Sequence, residues 1–232
     1  MLEAIEPLPR GRVLDLPCGP GLLSEALRRL GFHVVAADLD AEGFAPRDRI
    51  PFYRVDLDAP LPFPDACFDL VHCGDGIEHL ENPFQALREL ARLLAPGGRL
   101  VLTTPNYLSL ERRLRFLWSG SLAKPLPRDG AAGRERGHVN PITLTRLCWM
   151  AEAAGLEPVS ARAFLASRRR WLLWPLALPV WCVGRLLPAR YRRDLYAEHT
   201  LGWSLLTGGR KLLAVFAKRS GRGGARPPRK QR

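Results

Sequence analysis

Three short segments of this chain bring glycines, carboxylates and imidazoles together at spacings that could do chemistry. Asp15 runs into Pro17-Cys-Gly-Pro-Gly21, where Gly19 and Gly21 allow a ligand to approach the backbone closely. A helix that begins just after such a loop offers free N–H groups to a carboxylate. Asp38 closes the next apolar run and is placed to take both hydroxyls of a ribose, and Asp56 could accept from an adenine amino group. Asp15 itself would repel a pyrophosphate but welcome a cationic amine. Asp75, Glu78 and His79 form the third segment, and with His138 further along they make a set of two carboxylates and two imidazoles.

Alternating elements must hold these residues at one edge of a sheet. Arg12–Leu16, His33–Asp38, Phe52–Val55, Phe68–Cys73 and Arg99–Thr104 read as buried strands, with Leu156–Phe164 and Lys211–Lys218 as a sixth and a seventh. Leu23, Ala26, Leu27 and Leu30 recur at helical spacing before Gly31, and Phe84, Leu87, Leu90, Ala91 and Leu94 make one apolar stripe that Pro96-Gly97-Gly98 stops. Leu39–Ile50 is too short and broken for a full crossover helix. Asn140-Pro141 reads as a helix start, with asparagine as cap and proline in the first turn. Strands alternating with helices predict a Rossmann-like α/β fold, a mostly parallel sheet covered on both faces, whose ligands gather outside the carboxyl ends of the strands.

Gly19-x-Gly21-x-x-Ser24, with Asp38 beyond it, also matches part of a dinucleotide-binding fingerprint. Asp15 argues against a pyrophosphate there, and no second substrate domain follows.

The whole set in this order resembles the class I S-adenosylmethionine-dependent methyltransferases. Val13-Leu-Asp-Leu-Pro-Cys-Gly-Pro-Gly21 is similar to their first motif, and agreement continues through Asp38, Asp56, Phe68–Leu80, Leu93–Leu102 and the terminal strand. The resemblance implies a seven-stranded sheet with an antiparallel last strand and S-adenosyl-L-methionine as cofactor. It places Asp15 and the Gly19–Gly21 backbone around the methionine portion, with Pro17 and Pro20 in the same loop. Asp38 with Leu39 falls at the ribose, Asp56 with Leu57 at the adenine, and carbonyls near Cys73 and Gly74 face the methionine amine. Pro17 stands where the family usually has its first glycine and removes an N–H.

Methyl transfer is an in-line displacement, so the protein aligns the nucleophile and, for a hydroxyl, takes its proton. The resemblance extends to quinone-biosynthesis and small-RNA 3′-end enzymes in which an acid-x-x-Glu-His segment and a later His hold a divalent metal such as Mg2+. Asp75-Gly-Ile-Glu78-His79 and Gly137-His138 fit that pattern. Three readings stay open for Glu78, His79 and His138: metal-assisted activation of a hydroxyl, His79 as a metal-free base, or purely structural roles.

Charge is unevenly distributed over the 232 residues. Of the net +12, seven arginines and no acid lie in Arg168–Arg193, and seven basic residues and no acid in Lys218–Arg232, leaving about −2 for the rest. Ser220–Arg232, rich in Gly, Pro and Arg, is expected to be a disordered basic tail. Trp171–Gly184 is an uncharged run of fourteen residues bounded by arginines, shorter than the roughly 20 needed to span a bilayer, and Pro175 and Pro179 are expected to break it. Tryptophans with flanking arginines suit an anionic membrane surface, through 168–193; a lid over the substrate or a dimer contact are the other readings. Arg112, Arg113 and Arg115 among Leu110, Leu114, Phe116, Leu117 and Trp118 suggest a second such stretch.

The expected organisation is one methyltransferase domain over 1–219 with insertions at 107–139 and 167–209. Met1–Arg10 has acids and prolines rather than a secretory pattern, and the five cysteines show no CxxC spacing, so a cytoplasmic protein without disulfide or zinc framework is expected. The acceptor is read as a lipid-linked or aromatic small molecule. A nucleic-acid methyltransferase is the second reading, weakened by a near-neutral body and a tail without interleaved aromatics; a non-catalytic relative is the third.

Overall fold

A computed structural model describes residues 1–122, 138–166, 170–207 and 209–219. The tail at 220–232, Gly137 and Arg168 lie outside the described residues. The strands are β1 (Arg12–Asp15), β2 (His33–Asp38), β3 (Phe52–Arg54), β4 (Phe68–Gly74), β5 (Leu94–Pro105), β6 (Leu156–Ala166) and β7 (Gly209–Lys218). They form one seven-stranded sheet in the order β3-β2-β1-β4-β5-β7-β6. The first five strands in that order run parallel, and β7 is antiparallel to both β5 and β6. The fold is Rossmann-like. Strand order reverses between β1 and β4, which opens the crevice where ligands collect on such sheets.

Each central strand feeds two cores because successive side chains point to opposite faces. Leu14, Val71, Cys73, Leu100 and Leu102 pack with Leu87, Leu90 and Leu147 on one face. Val13, Val34, Ala36, Leu70 and Val101 pack with Leu27 on the other. The helices beside the sheet are α1 (Leu2–Ile5), α2 (Leu22–Arg29), α3 (Pro83–Leu93), α4 (Leu110–Ser119) and α5 (Leu144–Ala153). Residues 39–51 hold no helix, so β2 reaches β3 by a short loop.

Several boundaries differ from the sequence reading. The α5 helix starts three residues later than Asn140-Pro141 suggested: Thr143 is its N-cap, accepting from the Arg146 N–H. Asn140 instead ties the loop to the sheet end, its N–H donating to the Glu78 carbonyl at 3.0 Å and its side chain to Leu80 at 2.6 Å. The β5 strand begins at Leu94, before Pro96-Gly97-Gly98, by pairing Leu94 with Phe68 across a bulge.

The largest correction concerns the apolar run. Pro175 and Pro179 do not break it, and α6 continues over Arg170–Leu186 through both. The prolines stand four residues apart, so their missing N–H groups fall on one side of the helix and the remaining ladder carries the turn. Three short helices follow, α7 (Ala189–Asp194), α8 (Ala197–Thr200) and α9 (Trp203–Leu206). Ala177 of α6, Leu110 of α4 and Leu206 of α9 are buried together as a small third core, with Leu114, Val180 and Trp181 against it.

Candidate active site

The loop after β1 is held from below by a buried carboxylate. Asp15 is 1% exposed; its Oδ2 accepts from Ser24 Oγ at 2.5 Å and its Oδ1 lies 2.7 Å from His72 Nδ1. Both oxygens are thus engaged within the protein, and the residue acts on the loop by anchoring it to α2 and β4. Gly19 (φ +52°) and Gly21 (φ +81°) adopt left-handed backbone that a side chain would strain. At Gly19 an added Cβ would meet nothing within 4 Å, whereas at Gly21 it would come within 2.7 Å of Phe44 and Pro46. The first glycine opens space above the loop, and the second closes the loop onto the chain after β2.

Asp38 joins the same loop. Its Oδ2 accepts the Gly19 N–H at 2.8 Å and its Oδ1 the Asp40 N–H at 3.3 Å. Leu39 beside it is exposed, Leu57 is buried, and Asp56 is exposed with its Oδ1 accepting from the Asp58 N–H at 2.9 Å. Pro17 and Pro20 line the loop, and the Leu16–Pro17 peptide is cis. Burial, reinforced by Asp15 and Asp38, pushes the Cys18 thiol up to about 12. Cys73, fully buried at the end of β4, is likewise pushed up, chiefly by burial. Both stay neutral thiols rather than thiolate nucleophiles.

Beyond β4 the chain turns sharply through Asp75, a non-glycine residue at φ +52°, into a 3₁₀ turn over Ile77–His79. Glu78, His79 and His138 each offer a ligand atom, and these atoms lie within 4.8 Å of one another. Glu78 is 1% exposed, its Oε2 accepting from Thr104 Oγ1 at 3.0 Å, and burial raises its pKa. The His79 and His138 rings meet edge to face at 5.0 Å. His138 Nδ1 lies 3.0 Å from the Tyr107 hydroxyl. Burial lowers the pKa of His138, as do His79, Arg112 and Lys211, against an opposing pull from Asp75. Asp75 stands outside the trio: one of its oxygens pairs with Lys211 Nζ and the other is buried without a partner among the described residues.

Comparisons with known proteins bear on the family and the fold. A model of the methyltransferase domain matches residues 2–161. The chain belongs to the class I S-adenosylmethionine-dependent methyltransferases. Among its curated relatives, a ubiquinone biosynthesis O-methyltransferase of Xanthomonas campestris pv. campestris is 35% identical over 180 residues, 69% of this chain and 73% of that one. Its counterpart in Xylella fastidiosa is 34% identical over 71% of this chain and 69% of its own. That of Aeromonas salmonicida is 31% identical over 62% of each chain, so the methyltransferase spans somewhat under two thirds to nearly three quarters of these relatives. A solved S-adenosylmethionine-dependent methyltransferase from Archaeoglobus fulgidus superposes with a TM-score of 0.62 at 18% identity, over 94% of this chain and 91% of that one. The [4+2]-cyclase SpnF superposes at 0.56 and 21% identity, over 92% and 77%. At such identities the likeness shows the fold, and the cyclase illustrates that one fold carries more than one chemistry.

Several residues of this methyltransferase's site were given no role by the sequence, although Ser24 and His72 fall inside matched segments. Ser24, His72, Thr104, Tyr107 and Lys211 reach it from α2, β4, β5, the turn after β5 and β7. The Thr103-Thr104 pair, polar and fully buried at the end of an apolar strand, is a signal that could have been read. Tyr107 and Lys211 gave none, because only the antiparallel return of β7 brings Lys211 opposite Pro105.

Proposed function

We propose that this methyltransferase methylates an oxygen, a phenol-type hydroxyl on a lipid-linked or aromatic acceptor, at an anionic membrane surface. One observation carries the reading: a buried carboxylate and two imidazoles converge within 4.8 Å beyond the strand ends that hold the cofactor loop. Such a set suits the removal of a hydroxyl proton, which transfer to sulfur or to a neutral amine does not need in the same way. The ubiquinone-pathway relatives named above support it.

The loop has the features the cofactor requires: open space at Gly19, a carboxylate at Asp38 with lone pairs left beyond its two backbone bonds, and the Asp15 charge beneath. When bound, S-adenosylmethionine supplies an electrophilic methyl carbon, whose bond to sulfur breaks as the acceptor oxygen bonds to it. Asp38 and Leu39 hold the ribose, Asp56 and Leu57 border the adenine, and the carbonyls of Cys73 and Gly74 face the amine. His79, half-buried at the rim, receives the acceptor's proton, while Glu78 and His138 hold it in place. Glu78, His79 and His138 also fit a divalent cation such as Mg2+, which supplies Lewis acidity toward a hydroxyl. Asp75, committed to Lys211, takes no part in that set.

The test is a methyl-transfer assay with labelled donor, offering a polyprenylated catechol and a soluble catechol. Wild type should form labelled ether, and His79→Ala should lose at least a hundredfold in kcat with donor affinity by calorimetry unchanged. Turnover that EDTA abolishes and Mg2+ restores assigns the metal; turnover indifferent to EDTA leaves His79 as the base. Labelling of neither acceptor by folded, donor-binding enzyme defeats the proposal.

A further inference from the structure

His138 enters the reacting trio from a loop, and something must fix its ring. We propose that Tyr107 is the positioning residue that does so, engaging Nδ1 and committing Nε2 to the space shared with Glu78 and His79. This rests on the reading of Glu78, His79 and His138 as the reacting centre.

Tyr107 follows β5 at the same sheet end as Thr104, the partner of Glu78. It is 2% exposed, and its hydroxyl lies 3.0 Å from His138 Nδ1 with the two rings nearly perpendicular at 87°. One neighbour covers the phenol ring itself. Arg112 of α4 lays its guanidinium 4.9 Å from the ring centroid and donates to the Leu122 carbonyl at 2.8 Å. Burial and the nearby Glu78 push the hydroxyl up to about 12, so it stays a neutral phenol, a hydrogen-bond partner and not a base. On the other side the loop after His138 is tied down by the two Asn140 bonds to Glu78 and Leu80.

The chemical consequence follows from the two ring nitrogens. An imidazole hinged only at Cβ can present carbon in place of nitrogen, because a flip about its terminal torsion exchanges Nδ1 with Cδ2 and Nε2 with Cε1. With Nδ1 bonded to a fixed, buried hydroxyl, the flipped ring would leave that hydroxyl unpaired and place carbon against it. The bond therefore selects one ring orientation, and Nε2 is the atom left for the trio. Arg112 extends the support to α4, so the first helix of the insertion reaches the reacting centre through two side chains.

Tyr107→Phe removes the hydroxyl and keeps the ring that Arg112 covers. The expected result is a kcat at least tenfold lower, with donor affinity and acceptor KM within twofold of wild type. In a nitrogen-15 correlation spectrum the His138 ring should show one fixed orientation and tautomer in wild type and exchange in the variant. Combining Tyr107→Phe with His138→Ala should cost no more than His138→Ala alone, since both act through one imidazole. Unchanged kcat in Tyr107→Phe, or additive losses in the double variant, overturns the proposal while His138→Ala remains inactive. Full turnover by His138→Ala would instead remove the reacting-centre reading beneath it. If Tyr107→Phe does not fold, the wild-type spectrum decides alone: a His138 ring already in exchange refutes the assignment.

Discussion

Under the proposed function, Asp38 serves the protein and its cofactor with one side chain. Its two oxygens take the Gly19 and Asp40 N–H groups, which draws the glycine loop against the end of β2. A carboxylate has about four lone-pair directions, so two remain for a ribose diol. Asp38→Ala removes both functions, and the expected outcome is donor affinity weakened more than tenfold by calorimetry; unchanged affinity removes the ribose assignment. Asp75 is the counterexample. Read as a fourth member of the Asp75, Glu78, His79 and His138 set, it faces Lys211 across the end of β4, turned there by its own left-handed backbone.

At the level of elements, the strand ends place the chemistry and the helix caps keep it there. Glu78 sits in a single 3₁₀ turn, too short to hold itself, and is braced by Thr104 from β5 and by the Asn140 N–H from the approach to α5. The cap of α5 is Thr143, so Asn140 is released for that bracing. Thr143→Ala should destabilise the fold by about 1 kcal/mol, the usual cost of a lost N-cap, with little change in kcat. Thermal unfolding and the labelled assay read the two effects separately, and an equal fall in both places the active-site tether at the wrong residue. The β1 and β2 strands, each with apolar residues on both faces, were evident as buried runs, and their ends fixed where the loop and Asp38 stand.

Across the whole molecule, α4 and α6 present an apolar surface that the sheet does not use. Phe116, Leu117 and Trp118 of α4, and Trp174, Leu176 and Val183 of α6, are exposed. Among the described residues no helix is long and apolar enough to cross a membrane. Under the proposed function, Trp118 and Trp174 would lie at headgroup level and Arg115 and Arg185 would meet anionic lipid, whereas Arg113 is turned inward and donates to the Leu108 carbonyl at 3.0 Å. The membrane part of the proposed function predicts flotation with phosphatidylglycerol vesicles at low salt, reduced severalfold in a Trp118→Ala, Trp174→Ala double variant and by added salt. Equal recovery with neutral vesicles and with the double variant counts against it.

Sequence alone determined what depends on neighbours along the chain. Apolar runs fixed most strands, the Gly19–Gly21 loop between β1 and α2 followed from backbone freedom, and the motif order identified the family. Tertiary structure decided what depends on residues meeting across the sheet. Asp15 with His72, Glu78 with Thr104, His138 with Tyr107 and Asp75 with Lys211 each join positions at least 26 residues apart, and no local pattern encodes them. The continuity of α6 through two prolines belongs with these, because packing of Ala177, Val180 and Trp181 against α4 and α9 offsets a local preference to stop. Short-range propensity names the elements, and only burial against distant partners settles which side chains face one another.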